Sequence, residues 1–186
     1  SRRSKSNSAS LHQTQSGSHC AMAIDDVSGA LIAVEHIMRT RDPKVALVNG
    51  DVSNAKFAHL REGARRAVSA WGGNLTEYDA LNVSTEAGRQ IGFDIAERVP
   101  DGIFCVDGPL AQGFIRGLAE RGVLVPHRVS VVGYGNHAFD ADPTLMSLKT
   151  VNQPSSNMAV LASESLIAEI ENIDEHEHRV IVLPPT

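Results

Sequence analysis

Polar or glycine-rich turns follow four of the apolar segments in this sequence, and their residue types could do chemistry. The turns contain Asp25, Asp26 and the residues at 49–51, 107–109 and 134–136. If each apolar segment is a strand of one parallel sheet, the turns meet at one edge, where open α/β sheets bind ligands. Carboxylates and amides at that edge could hold a polar small molecule. Ordinary turn chemistry explains the same residues equally well, so both interpretations stay open at this point.

A metal site has weaker support in the sequence. His176 and His178 lie in the acidic run DEHEH and could hold a metal ion weakly. A third ligand at a suitable spacing is missing, which favours a solvated surface turn. The sequence therefore predicts no metal and no cofactor.

No catalytic motif is recognisable. The sequence contains no G-x-S-x-G elbow, no G-x-x-x-x-G-K-[ST] phosphate loop and no G-x-G-x-x-G. Ser84, Thr85 and Glu86 could be catalytic groups, but they are better explained as the capped start of a helix. Because no nucleophile, base and orienting group come together, we predict that the chain is not an enzyme.

Net charge and cysteine content further limit the kinds of protein that this chain could be. The formal net charge is −5, so we do not expect this chain alone to bind nucleic acid. Cys20 and Cys105 lie in apolar, strand-like runs, which favours buried thiols in a reducing, cytoplasmic compartment over a disulfide. No apolar run approaches the ~20 residues of a membrane span. The polar start of the chain leads us to expect no signal peptide.

Apolar segments with strand and helix periodicity alternate along the chain. Residues 1–19 are polar and low in complexity, which predicts a tail or loop. Strands are predicted at 20–24, 45–49, 75–81, 103–106, 129–133, 147–151 and 179–183. Helices are predicted at 27–43, 54–70, 84–98, 109–121 and 155–172. This alternation predicts an α/β fold, with a parallel sheet flanked by helices on both faces.

Four stretches, read together, resemble the LacI/GalR family of bacterial transcription regulators. IDDVSGALIAVEHIM (24–38) is similar to a strand and helix of the family, and VALVNG with REGARRAV (45–68) is similar to its next unit. The most specific likeness covers 100–136 and ends in VSVVGYGN. PTLMSLKTVNQPSSNMAVLASESL (143–166) continues it. The resemblance runs in register over most of the chain.

The resemblance implies a periplasmic-binding-protein type I architecture, with two α/β subdomains joined by crossing strands around a ligand cleft. We expect 20–43 to end the N-terminal subdomain and 44–145 to form the C-terminal one. Residues 146–175 should return to the first, and 176–186 should add the last strand of the second. The family's helix-turn-helix and most of its first subdomain are not in this sequence, so we expect either a C-terminal fragment of a longer protein or the product of a truncated gene. We also expect a homodimer.

The resemblance also implies where an effector would bind. It assigns contacts to Asp26, Lys56, Arg61, Val83, Asp107, Asn136 and Gln153. At two positions where the family has a polar residue, this sequence departs from the family's pattern. Gly135 stands where the family usually has an acid, and Leu60 stands where it has an arginine. Arg61 comes one residue late, which is about 100° of rotation on a helix and should turn it elsewhere.

The loss of the acid and the arginine removes charge-assisted hydrogen bonds that hold a sugar, which argues against an ordinary sugar effector. The sequence therefore leaves open an unusual ligand, a phosphorylated or protein corepressor, or no effector. As a whole it favours the effector-binding and dimerisation core of a LacI-type repressor. Its partners would be a small-molecule effector, either sugar-like or unusual, and operator DNA through the part absent from this chain, but no membrane. A periplasmic-type solute-binding protein is the alternative.

Overall fold

The computed structural model describes residues 10–11, 20–40, 44–136, 148–171 and 177–186. Its strands are β1 (Ser10–Leu11), β2 (Ala21–Ile24), β3 (Lys44–Asn49), β4 (Asn74–Asp79), β5 (Gly102–Cys105), β6 (Ser130–Tyr134), β7 (Lys149–Val151) and β8 (Val180–Leu183). Its helices are α1 (Asp26–Thr40), α2 (Ala55–Ala70), α3 (Thr85–Ile95), α4 (Gly108–Glu120) and α5 (Ser155–Glu171). None of the described helices is long and apolar enough to cross a membrane.

The described residues form two compact units. The first contains the described residues up to Asp25 and those within Pro154–Pro185, and the second contains the described residues within Asp26–Gln153 and Thr186. In the first unit, β1, β2 and β8 form a parallel sheet in that order, and α5 packs against β2. The short strand β1 falls within the stretch that was predicted to be a tail or loop.

The second unit is built on a five-stranded parallel sheet in the order β4-β3-β5-β6-β7. Successive side chains of a strand point to opposite faces, so each strand serves two cores. Leu47 and Phe104 pack with α1 and α2 on one face, while Ala46 and Ile103 pack with α3 and α4 on the other. The prediction of a parallel α/β sheet flanked by helices is confirmed.

Helices α3 and α4 are held unusually close by glycines. Gly88 and Gly92 lie on α3, and Gly113 and Gly117 lie on α4. A Cβ atom on any of them would come within 1.8–2.3 Å of a carbonyl oxygen of the facing helix. The backbones therefore touch directly, which fixes α4 and the strand end that precedes it.

The observed units divide the chain at different places from the predicted ones. Helix α1 was grouped with the strand before it, but its buried face packs in the second unit, where Ile37 lies against Gly102. Strand β7 was expected to return to the first unit, yet it pairs with β6. Strand β8 was expected in the second unit, yet it pairs with β2. Strand pairing and helix packing, which act over long sequence separations, decide these boundaries.

Both cysteines are buried, and neither forms a disulfide. Cys20 lies in the first unit and Cys105 in the second. Burial, together with the charge of Asp107, raises the pKa of the Cys105 thiol well above its usual range. The prediction of buried thiols is thus confirmed for the two residues.

Candidate effector site

Four side chains of the second unit meet at the carboxyl edge of its sheet, and we call Asp26, Lys56, Asp107 and Tyr134 the carboxyl-edge cluster. Lys56 Nζ lies 3.9 Å from Asp107 Oδ2 and 5.6 Å from the centre of the Tyr134 ring. The Tyr134 hydroxyl donates a hydrogen bond of 2.7 Å to Asp26 Oδ1. The four residues therefore form one connected polar group.

Local structure explains how each of these side chains is placed. Lys56 belongs to the first turn of α2. Asn54 caps this turn, because its side chain accepts a hydrogen bond of 2.9 Å from the Lys56 backbone N–H. Asp107 precedes α4 in an extended conformation, and its side chain makes no capping hydrogen bond to that helix. Tyr134 ends β6, is fully buried, and meets the Phe104 ring edge-on at 6.4 Å.

The charge balance of the carboxyl-edge cluster is negative. It contains two carboxylates and one ammonium group. The Lys56 and Asp107 side chains are 30% and 18% exposed, so their attraction is only partly screened. A separation of 3.9 Å is longer than a hydrogen bond, so the two groups attract each other as an ion pair without a direct hydrogen bond. Such a group suits hydroxyl or N–H donors better than an anion.

Sequence reasoning missed a buried acceptor beside this cluster. Asn49, the last residue of the interior strand β3, is fully buried, and its Nδ2 donates to the Phe57 carbonyl at 3.3 Å. Its Oδ1 has no hydrogen-bond partner among the described residues. A buried acceptor without a donor costs about 1–3 kcal/mol, so a ligand or water donor here would stabilise the site. The polar turn at 49–51 was the available sequence signal.

An aromatic ring also reaches the site from an unexpected position. Val83, to which the resemblance assigns an effector contact, is an aliphatic residue and is half-buried. Phe57 of α2 lies beside it: a Cβ on Gly50 would be 2.6 Å from the Phe57 ring and 2.9 Å from Val83. Lys56 Nζ is 5.6 Å from the centre of the same ring. The glycine at this strand end therefore makes room for both apolar side chains.

Arg61 is engaged at the edge of the sheet rather than in the carboxyl-edge cluster. Its Nε lies 3.1 Å from Glu77 Oε2, without hydrogen-bonding geometry, and its NH2 group donates to Asp79. Both acids belong to the edge strand β4. Arg61 therefore points away from the cluster, as its one-residue offset from the family's arginine position predicts. An effector contact through Arg61 stays a prediction that would need these ion pairs to break.

Asn136 and Gln153 are joined to each other. Asn136 Nδ2 donates to the Gln153 carbonyl at 2.6 Å, and its Oδ1 accepts from the Gln153 N–H at 2.7 Å. The amide thereby extends the pairing of β6 and β7 beyond the strand ends. It fixes the Gln153 backbone, and the effector role of the two residues stays a prediction.

The backbone conformation at position 135 is consistent with glycine in place of the family's acid. Gly135 has a φ of 109°, a conformation that side-chain-bearing residues rarely adopt. Its N–H donates to the Val151 carbonyl at 2.9 Å, which continues the ladder to β7. The turn that follows Tyr134 therefore favours glycine, and the carboxylates of this edge come from Asp26 and Asp107 instead.

Comparison with known proteins identifies the family. The model of the periplasmic binding protein-like domain matches residues 34–186. The chain belongs to this family. As a periplasmic binding protein-like domain it is similar to the transcriptional repressor PurR of Vibrio atlanticus, with 28% identity over 163 residues, 84% of this chain and 48% of the relative. The transcriptional regulator DegA of Bacillus subtilis is 29% identical over 168 residues, 88% of this chain and 49% of the relative.

Solved structures agree on the fold of this periplasmic binding protein-like domain. A putative LacI-family repressor from Corynebacterium glutamicum superposes with a TM-score of 0.87 at 22% identity, over 96% of this chain and 69% of that one. A LacI-family regulator from Enterococcus faecium with bound ribose gives 0.80 at 23%, over 96% and 67%. The resemblance to LacI/GalR regulators is confirmed. The chain spans about half the length of the curated relatives it matches.

Proposed function

We propose that this chain is the effector-binding and dimerisation core of a LacI-type DNA-binding repressor. The observation that carries the proposal is the carboxyl-edge cluster, which stands at the strand ends where sheets of this class bind ligands. The curated relatives PurR and DegA are transcriptional regulators, which supports a regulator over a solute-binding protein or an enzyme. Operator contacts would come from a part of the protein outside this chain.

The effector that fits this chemistry is an uncharged, hydroxyl-rich small molecule. Asp107 would accept hydrogen bonds from its hydroxyl groups, and Asn49 Oδ1 would accept another in a buried position. Lys56 would donate to a ring or hydroxyl oxygen, while Phe57 would cover an apolar face of the ligand. Two carboxylates against one ammonium group disfavour a phosphorylated effector, which would add negative charge to a negative site.

Binding at this edge would be coupled to DNA binding through linkage. An effector that binds one conformation of the domain better than another shifts the balance between them by its difference in affinity. Asp26 begins α1, and it is tied through Tyr134 to β6. A ligand that binds Asp107 and Lys56 would therefore contact groups carried by several elements of the unit at once.

Dimerisation and location follow from the same proposal. Val160, Ile167 and Ile170 of α5 are more than half exposed, and such side chains are suited to a contact between copies. We propose a homodimer, with the family's mode of assembly. A repressor acts where the chromosome is, so the proposal places the protein in the cytoplasm and outside any membrane.

Ligand preference tests the proposed chemistry. We expect a neutral pentose or hexose, such as D-ribose, to raise the thermal midpoint of the chain, and a phosphorylated sugar such as fructose 1-phosphate to bind at least tenfold more weakly. The reason is the negative charge balance of the carboxyl-edge cluster. Isothermal titration of a panel of sugars, nucleosides and sugar phosphates measures this. A preference for the phosphorylated members would contradict the proposed effector class.

The gene sequence upstream of the Ser1 codon tests the regulator itself. A reading frame that encodes a helix-turn-helix and further strand–helix units is the expected result. A signal peptide in that frame would instead support the solute-binding alternative. This result is independent of the ligand panel, so the two parts of the proposal can fail separately.

A further inference from the structure

Two metal-ligating side chains lie side by side at the amino ends of β2 and β8 in the first unit. Cys20 directly precedes β2, and His178 lies two residues before β8. The strands pair in parallel, with Ala21 opposite Val180, and the Ala21 N–H donates to the Arg179 carbonyl at 3.1 Å. Sheet formation therefore brings together residues that are far apart in the sequence.

Helix α5 adds a carboxylate to the same place. Glu169 lies in the last turn of α5, which packs against β2. One ligand atom each of Cys20, Glu169 and His178 lies within 4.8 Å of the other two. Cys20 and Glu169 are buried and His178 is exposed, so the group has a buried floor and one side open to solvent.

The carboxylate of Glu169 is in an unfavourable position without a cation. The residue is only 8% exposed, and its Oε2 has no hydrogen-bond partner among the described residues. A buried carboxylate costs several kcal/mol unless it is paired, hydrogen-bonded or bound to a metal. The carboxyl end of α5 adds partial negative charge at the same point. Both effects favour a positive charge beside Glu169.

We propose that Cys20, Glu169 and His178 bind a zinc ion or a similar divalent transition metal. A thiolate, an imidazole nitrogen and a carboxylate oxygen are zinc ligands, and water would take the fourth tetrahedral position. Zinc bonds of about 2.0–2.3 Å place ligand atoms about 3.5 Å apart, so small side-chain rotations close the group. The two charges of the ion are balanced by the thiolate and the carboxylate, which suits a buried floor.

The binding step is a simple ligand exchange. The Cys20 thiol releases its proton to solvent, the sulfur–metal bond forms, and the metal loses waters of hydration; nothing is oxidised or reduced. The inference concerns the first unit alone and does not depend on the proposed effector site.

Titration with Co²⁺ and Zn²⁺ tests the site. We expect the full chain to bind one Co²⁺, with a thiolate-to-cobalt charge-transfer band in the near ultraviolet, and Zn²⁺ to displace it one for one. In Cys20→Ala that band should be lost, and the affinity for Zn²⁺ should fall at least 100-fold. His178→Ala and Glu169→Gln should each lower the affinity at least tenfold but keep the band at higher Co²⁺ concentration.

Cys105→Ala is the matched control, since Cys105 is also a buried thiol and lies in the second unit. It should leave the Zn²⁺ affinity unchanged within twofold. Circular dichroism establishes that each variant is folded, and Glu169→Gln keeps the test informative if Cys20→Ala is not. The proposal would be overturned if the wild-type chain gave no charge-transfer band with Co²⁺. It would also be overturned if the Glu169→Gln variant bound Zn²⁺ as tightly as the wild type.

Discussion

Replacing Gly113 by valine is expected to lower the free energy of unfolding by about 3 kcal/mol. A Cβ at this position would lie 1.8 Å from the Thr85 carbonyl oxygen and 2.7 Å from the Arg89 nitrogen, both backbone atoms of α3 that cannot rotate away. Helices α3 and α4 must then separate, and the core between them and the sheet is disrupted. Urea unfolding followed by circular dichroism measures the loss.

Gly113→Ala separates this steric effect from helix propensity. Alanine is favoured over glycine in a helix by about 1 kcal/mol, so propensity alone predicts stabilisation, whereas the contact with Thr85 predicts destabilisation. Ala119→Val is the control, because Ala119 is exposed on the same helix and should cost less than about 0.7 kcal/mol. A stabilised Gly113→Ala variant would show that the helices are farther apart than described.

Asp107→Asn is expected to weaken the best-binding neutral ligand by about 10- to 100-fold. A hydrogen bond to a charged group contributes about 1.5–3 kcal/mol, and each 1.4 kcal/mol is a factor of ten in affinity. The amide keeps the shape of the side chain, but it loses the charge and replaces one acceptor by a donor. Isothermal titration of both proteins with the same ligand measures the ratio.

Asp101→Asn is the matched control for this experiment. Asp101 precedes the same strand, β5, at its opposite end, where its Oδ1 accepts a hydrogen bond from Arg128 at 2.8 Å. It also lines a pocket of about 350 Å³ formed with Lys44 and Arg98. We expect its affinity to stay within twofold of the wild type. If Asp101→Asn weakens binding and Asp107→Asn does not, the ligand binds at the amino ends of the strands instead.

The paired variants therefore decide between the two ends of one sheet. The pocket at the amino end is lined by Lys44, Arg98 and Arg128 against Asp101, so it would suit an anionic ligand. The carboxyl-edge cluster has the opposite balance. A phosphorylated sugar that binds in an Asp101-dependent way would thus contradict the effector class and the site together.

Much of the fold could be predicted from the sequence because strand and helix signals are local. The apolar run 103–106 reads as a buried strand, and Asp107 with Pro109 reads as a strand end followed by a helix start. Both are found where the pattern puts them. The placement of Asp107 at the carboxyl edge then follows from parallel topology alone. Arg61 was also expected to turn away, since a one-residue offset rotates a helical side chain by about 100°.

The tertiary structure decided which distant side chains meet. Tyr134 and Asp26 are 108 residues apart, and their hydrogen bond depends on α1 packing against the five-stranded sheet instead of remaining with the strand before it. His178 looked like a solvated turn residue because no third ligand stands near it in the sequence. The pairing of β2 with β8 and the packing of α5 bring Cys20 and Glu169 to it. Local sequence patterns determine the ends of elements, whereas only sheet order and helix packing determine which ends share one place.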